Sequence, residues 1–176
     1  MAFDRTKFGD VLHYIVWRCS DPSRLGSVKI NKILWYSDAR HYVLHGRPIT
    51  GERYVRRQHG PMAQHFNSVL SELSAAGRVT YRKGGAYEAA QYRAMRAPDS
   101  RVLSDSEREI LDYFIRHISR DHTATSISEQ THDYAWEIAR MGEALPYHAI
   151  LAERTRQPNS DELAWARDVA RRRNLP

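Results

Sequence analysis

Apolar positions recur at helical spacing along most of the chain, and that pattern predicts a mostly helical protein. Phe8, Val11, Leu12, Ile15 and Cys19 share one stripe, which predicts a first helix from about Thr6 to Cys19. Ser20-Asp21-Pro22-Ser23 stops it, because proline cannot continue the hydrogen-bond ladder. A second helix is predicted to open at Ser27, as its N-cap, and to end at Gly46 in a left-handed cap. Its main stripe is Ile30, Ile33, Leu34, Ser37, His41 and Leu44, while Trp35, Tyr36 and Tyr42 add aromatic surface elsewhere. A helix apolar nearly all round belongs in the middle of a domain.

Arg47-Pro48-Ile49-Thr50-Gly51 reads as a turn, followed by a short extended piece from Glu52 to Gln58. Gly60-Pro61 is expected to end that piece and to set the entry of a third helix, with Pro61 in its first turn. Met62, Phe66, Val69, Leu70 and Leu73 mark that helix's buried face, and Gly77 terminates it. Val79 to Arg82 and Gln91 to Met95 alternate like the two arms of a hairpin, joined through Lys83-Gly84-Gly85 and Tyr87. Ser104 and Glu107 form a capping box for a fourth helix carrying Ile110, Leu111, Phe114 and Ile118. A shorter helix is expected near Ser126, boxed by Glu129, and another from Pro146 to Leu151. The last, Ser160 to Arg173, opens on acids and closes on Arg171-Arg172-Arg173, matching the helix dipole. The expected architecture is a mostly α, α+β fold: a compact bundle of six to seven helices with a small hairpin. A helix, a glycine and a basic hairpin in that order also describe a winged-helix module.

With 176 residues, 41% hydrophobic and 27% charged, the chain has the composition of one globular domain spanning 1–176. Its longer apolar stretches, such as Val11 to Trp17, are too short for a membrane span, and Met1 to Arg5 lacks a signal-peptide core. A cytoplasmic protein is therefore expected. Cys19 is the only cysteine, so neither an intrachain disulfide nor a thiolate metal cage can form, and its place on the apolar stripe marks a buried small hydrophobe. The net charge of +6 suits a polyanion or an acidic protein partner equally.

Candidate chemistry is sparse. His41 and His45 have a spacing that can place two imidazoles on one ion, but Arg40 and Tyr42 stand where a zinc peptidase needs a glutamate. The expectation is a hydrogen-bonded histidine pair, with Asp38 able to orient either ring, and neither metal nor cofactor. A metal-dependent enzyme using the two histidines is the third-ranked reading. Nucleophile elbow, P-loop and dinucleotide-binding signatures are missing from the sequence, so no enzyme is expected. Basic residues cluster twice: Arg47, Arg53, Arg56 and Arg57, then Arg78, Arg82, Lys83, Arg93 and Arg96. Tyr54, Tyr81, Tyr87 and Tyr92 are interleaved with them. Such a mixture serves as a solvated charged edge, a protein interface or a nucleic-acid surface.

The run Val28-Lys29-Ile30-Asn31-Lys32-Ile33-Leu34-Trp35-Tyr36-Ser37-Asp38 leads through Gly46-Arg47-Pro48-Ile49 to His59-Gly60-Pro61. Later come Leu103-Ser104, Ser128-Glu129-Gln130-Thr131-His132 and Trp136. The first run keeps the order and spacing of the Panacea antitoxin-like family, and the later segments resemble that family too, though His132 and Trp136 stand only four apart; together they cover a core of about residues 6–155, with the basic helix 160–173 beyond it. Lys32-Ile33-Leu34-Trp35 stands where that family more often has two leucines and a tyrosine. The resemblance implies a helical protein with a small sheet, bacterial or phage-borne, that neutralises a cognate toxin by direct contact or delivers it to a protease. It implies structural roles for Asp38, Gly60, Pro61, His132 and Trp136. Partner contact is then expected from exposed positions: Arg53, Arg56, Arg57, Tyr87 and the last helix. A winged-helix regulator binding operator DNA is the alternative.

Overall fold

The computed structural model describes residues 2–154 apart from 20, 83, 85–89, 100 and 131–133. Tyr87, His132 and the predicted helix 160–173 lie outside the described residues. Within them the chain is mostly helical, as its periodicity predicts, and it carries two small antiparallel sheets, one more than the single hairpin expected.

Helix α1 (Arg5–Arg18) begins where the Asp4 carboxylate accepts the Lys7 N–H at 2.9 Å, and it buries Phe8, Val11, Leu12 and Ile15. A short 3-10 turn over Pro22–Arg24 then redirects the chain. Helix α2 (Ser27–His45) is the central element, packed against three other helices and a hairpin. It begins one residue past its N-cap Gly26, so Ser27 is helical and not the cap, and it ends on Gly46 at φ +69°.

Strands β1 (Tyr54–Arg57) and β2 (Gly60–Ala63) form an antiparallel hairpin across Gln58-His59, with Arg57 opposite Gly60 and Arg56 opposite Pro61. This corrects the expected role of Gly60-Pro61. The pair starts a return strand, and helix α3 (Phe66–Ala75) begins only after Gln64 and His65. Gly60 meets the reversal with φ +102°, and β2 is an edge strand, where a missing N–H is tolerated. Met62 accordingly belongs to the sheet.

Strands β3 (Val79–Arg82) and β4 (Gln91–Ala94) pair as a separate two-stranded sheet, the hairpin expected from alternation. Helix α4 (Asp105–Asp121) carries the complete Ser104–Glu107 capping box, and the Lys7 ammonium meets the same glutamate at 2.7 Å. Tyr36 of α2 stacks on Phe114 of α4 with centroids 5.5 Å apart. Helix α5 (Ala124–Gln130) opens two residues earlier than expected. Thr123 and Ser126 exchange hydrogen bonds at its start, each hydroxyl accepting the other's backbone N–H at 3.0 Å. Helix α6 (Tyr134–Ile138) and strand β5 (Ala144–Leu145) follow, β5 pairing with β1 to give the order β2-β1-β5. A 3-10 segment over Tyr147–Arg154 closes against α2.

Candidate functional site

The motif segments meet around the β1–β2 hairpin. The hydrophobic stripe buries Lys32 inside α2, 1% exposed, and its ammonium donates to the His59 carbonyl at the hairpin's turn. Ser128, on α5, donates to that same carbonyl at 3.0 Å. Asn31 accepts the Ala63 N–H of β2 at 2.9 Å while its amide donates to the Ser27 carbonyl. One strand edge is thereby fastened to α2. Trp136 of α6 donates its indole N–H to the Arg57 carbonyl at 3.0 Å, and the Arg56 guanidinium lies 4.0 Å over its ring. Arg56 also donates to the Ala139 carbonyl, so its cation is committed within the fold.

Behind the hairpin lies a sealed polar network. Asp38, 1% exposed, accepts the Thr50 N–H at 2.8 Å, the Thr50 hydroxyl at 2.6 Å and the Tyr54 hydroxyl at 2.8 Å. It therefore ties α2 to the turn and to β1 and leaves the histidines alone, contrary to the expectation from sequence. His41 instead bonds the Arg47 carbonyl through Nδ1 at 2.7 Å, and His45 meets the Ser106 hydroxyl at 3.2 Å. Burial pushes the Asp38 carboxyl up, while the donors from Thr50 and Tyr54 pull it back; burial also drives the Tyr54 and Tyr147 hydroxyls upward. Glu52 is equally enclosed, accepting the Arg53 N–H at 2.6 Å and bonding His65 Nδ1 at 3.0 Å. Tyr147 donates to the Glu52 carbonyl and stacks near Trp35 and Tyr42. Asp38 is thus spent on backbone and hydroxyl donors, and Glu52 on backbone N–H groups and the His65 ring.

The strand's alternation sorts the expected contact residues. Arg53 and Arg57 fall on the face opposite Arg56, are exposed, and line one shallow groove of about 320 Å³ with Met62. Neither guanidinium bonds another described residue. A second groove of about 410 Å³ adjoins it, floored by Val28, Pro61, Met62 and Met141 and rimmed by Arg57. The other basic cluster is less open than its sequence suggests. Arg78 turns inward to Asp10 at 2.5 Å and to His13, Tyr92 is buried and Tyr81 half-buried. Tyr54 is likewise core and no surface anchor. Helix α3 exposes Asn67, Ser68, Ser71 and Glu72, with no cation along its length, which does not favour the winged-helix arrangement for reading DNA.

Lys32, Asn31, Thr50 and Tyr147 were missed as site-building residues. Lys32 had a signal: a lysine inside a helix apolar nearly all round needs a buried acceptor. Among the described residues no group of three or more potential metal ligands comes together, and no helix is long and apolar enough to cross a membrane.

No curated protein and no solved structure matches the chain. The family model for SocA-like antitoxins with a Panacea domain matches residues 30–137, the stretch from α2 to α6 that contains the fastened hairpin, Asp38, Gly60, Pro61 and Trp136. With more than half of its length matched, the chain belongs to the SocA-like antitoxin family carrying the Panacea domain.

Proposed function

We propose that this protein is an antitoxin that neutralises a cognate toxin by direct contact, without catalysing a reaction. The carrying observation is the division of labour at the hairpin: Arg56 is spent on the fold, whereas the guanidinium groups of Arg53 and Arg57 bond no other described residue, and both residues line a groove that shares Arg57 and Met62 with its neighbour. Arginine rims and methionine floors suit a protein partner, arginine for its fork of donors and methionine for its adaptable shape. With a net charge of +6, the surface favours an acidic face on the toxin and fast encounter with it. The polar network at Asp38 supports the reading by fixing the hairpin that presents this surface. Neutralisation by sequestration follows most simply from such a surface, and delivery to a protease would use the same contact.

Co-expression with the product of the neighbouring gene, as candidate toxin, tests the proposal. Wild-type protein is expected to restore growth, and Arg53→Glu with Arg57→Glu to abolish rescue without loss of soluble protein. Unchanged rescue by that double variant would remove the hairpin surface from the account.

A further inference from the structure

The end of α4 carries a second cluster, apart from the hairpin. His117 lies in the last turn, and His122 is the residue at which the chain leaves the helix. Their Nε2 atoms face each other at 3.3 Å, with the rings nearly perpendicular, at 81°. Both Nδ1 atoms are already engaged, that of His117 by the Asp121 carboxylate at 3.1 Å and that of His122 by the Ser126 hydroxyl at 3.2 Å.

These partners constrain the protons. A carboxylate only accepts, so neutral His117 carries its hydrogen on Nδ1 and turns an Nε2 lone pair toward His122. In the ion-free protein His122 fills the gap by donating from Nε2. When the His122 hydrogen resides on Nδ1, with the Ser126 hydroxyl as its acceptor, two lone pairs face one another, and a bridging Lewis acid can satisfy both. The spacing fits one: two nitrogens about 2.0 Å from a tetrahedral ion lie about 3.3 Å apart.

We propose that His117 and His122 form a two-histidine site for a divalent transition-metal ion of the zinc or copper class. The remaining positions are filled by water or by a side chain of a bound molecule. Asp121 and Ser126 are the outer partners that fix the rings. The helix C-terminus adds its partial negative charge next to the ion. Tyr113 stacks on His117, and Arg116 and Arg120 line the cleft shared with Arg18 and Cys19. Binding would clamp the junction of α4 with α5, whose Ser128 holds the hairpin turn. The site is independent of the toxin-binding reading.

Calorimetric titration of the full-length chain with Zn2+ is the test, with thermal unfolding in the same buffers. One equivalent is expected to bind and to raise the unfolding midpoint. His117→Ala and His122→Ala should each weaken binding at least tenfold while leaving the metal-free midpoint in place. Asp121→Asn should weaken it by about tenfold, and His45→Ala should leave it unchanged. Wild-type protein that takes up no Zn2+, binding unaltered in the His117 and His122 variants, or binding lost in His45→Ala would each overturn the proposal.

Discussion

The indole N–H of Trp136 donates to the Arg57 carbonyl at 3.0 Å, so the later motif segment hangs directly from the hairpin built by the earlier one. Residues 79 positions apart in sequence thus act on one turn. Trp136→Ala removes this bond and the Arg56 stacking together, and is expected to cost about 2 kcal/mol in a urea unfolding measurement. Trp136→Phe keeps a ring under Arg56 but no donor, and should fall between the two.

Asp38→Ala strands three buried donors, the Thr50 N–H, the Thr50 hydroxyl and the Tyr54 hydroxyl. An unsatisfied buried group costs roughly 1–3 kcal/mol, so a loss of about 3 kcal/mol or more is expected by denaturant unfolding. Asp38→Asn retains one accepting oxygen and should lose less. Equal losses in the two variants would show that the carboxylate's second oxygen contributes nothing.

His13 gives the protein a defined response to acid. Its ring is 1% exposed, bonds the Arg96 carbonyl at 2.9 Å through Nε2 and accepts from Arg78 through Nδ1. Burial holds its pKa below the ordinary histidine value, and the neighbouring Arg78 adds to that. The unfolded chain therefore takes up a proton that the folded chain refuses. Stability from this group is complete above the unfolded histidine value, about 6.5, and is lost as pH falls below it and through the lower value of the folded ring. Unfolding free energy measured from pH 7.5 to 5 should decline in wild type and decline less in His13→Gln.

What could be read in the sequence was what neighbours in sequence decide. The α4 capping box needs only Ser104 and Glu107, three residues apart, and the stripes of α1 and α2 need only periodicity. The β1–β2 hairpin escaped because Gln58-His59 lacks the glycine-rich signature of a two-residue turn, and Gly60-Pro61 satisfies a helix entry as readily as an edge strand. Its fastening was beyond local reading for another reason. Lys32 reaches a carbonyl 27 residues away, and Trp136 one that is 79 residues away. Arg53, Arg56 and Arg57 looked equivalent as charges, and only the pleat and the arrival of α6 separate the committed one from the two that remain open.

The central claim is that the motif residues frame a hairpin whose free arginines grip a toxin. The most direct measurement is the affinity of the purified protein for the product of the neighbouring gene, as candidate toxin, set against the Arg53→Glu, Arg57→Glu double variant with unfolding curves for both. A tight wild-type complex, weakened at least tenfold in a variant of unchanged stability, is the predicted result. Equal affinity in the two proteins, or no complex with the wild type, would contradict it.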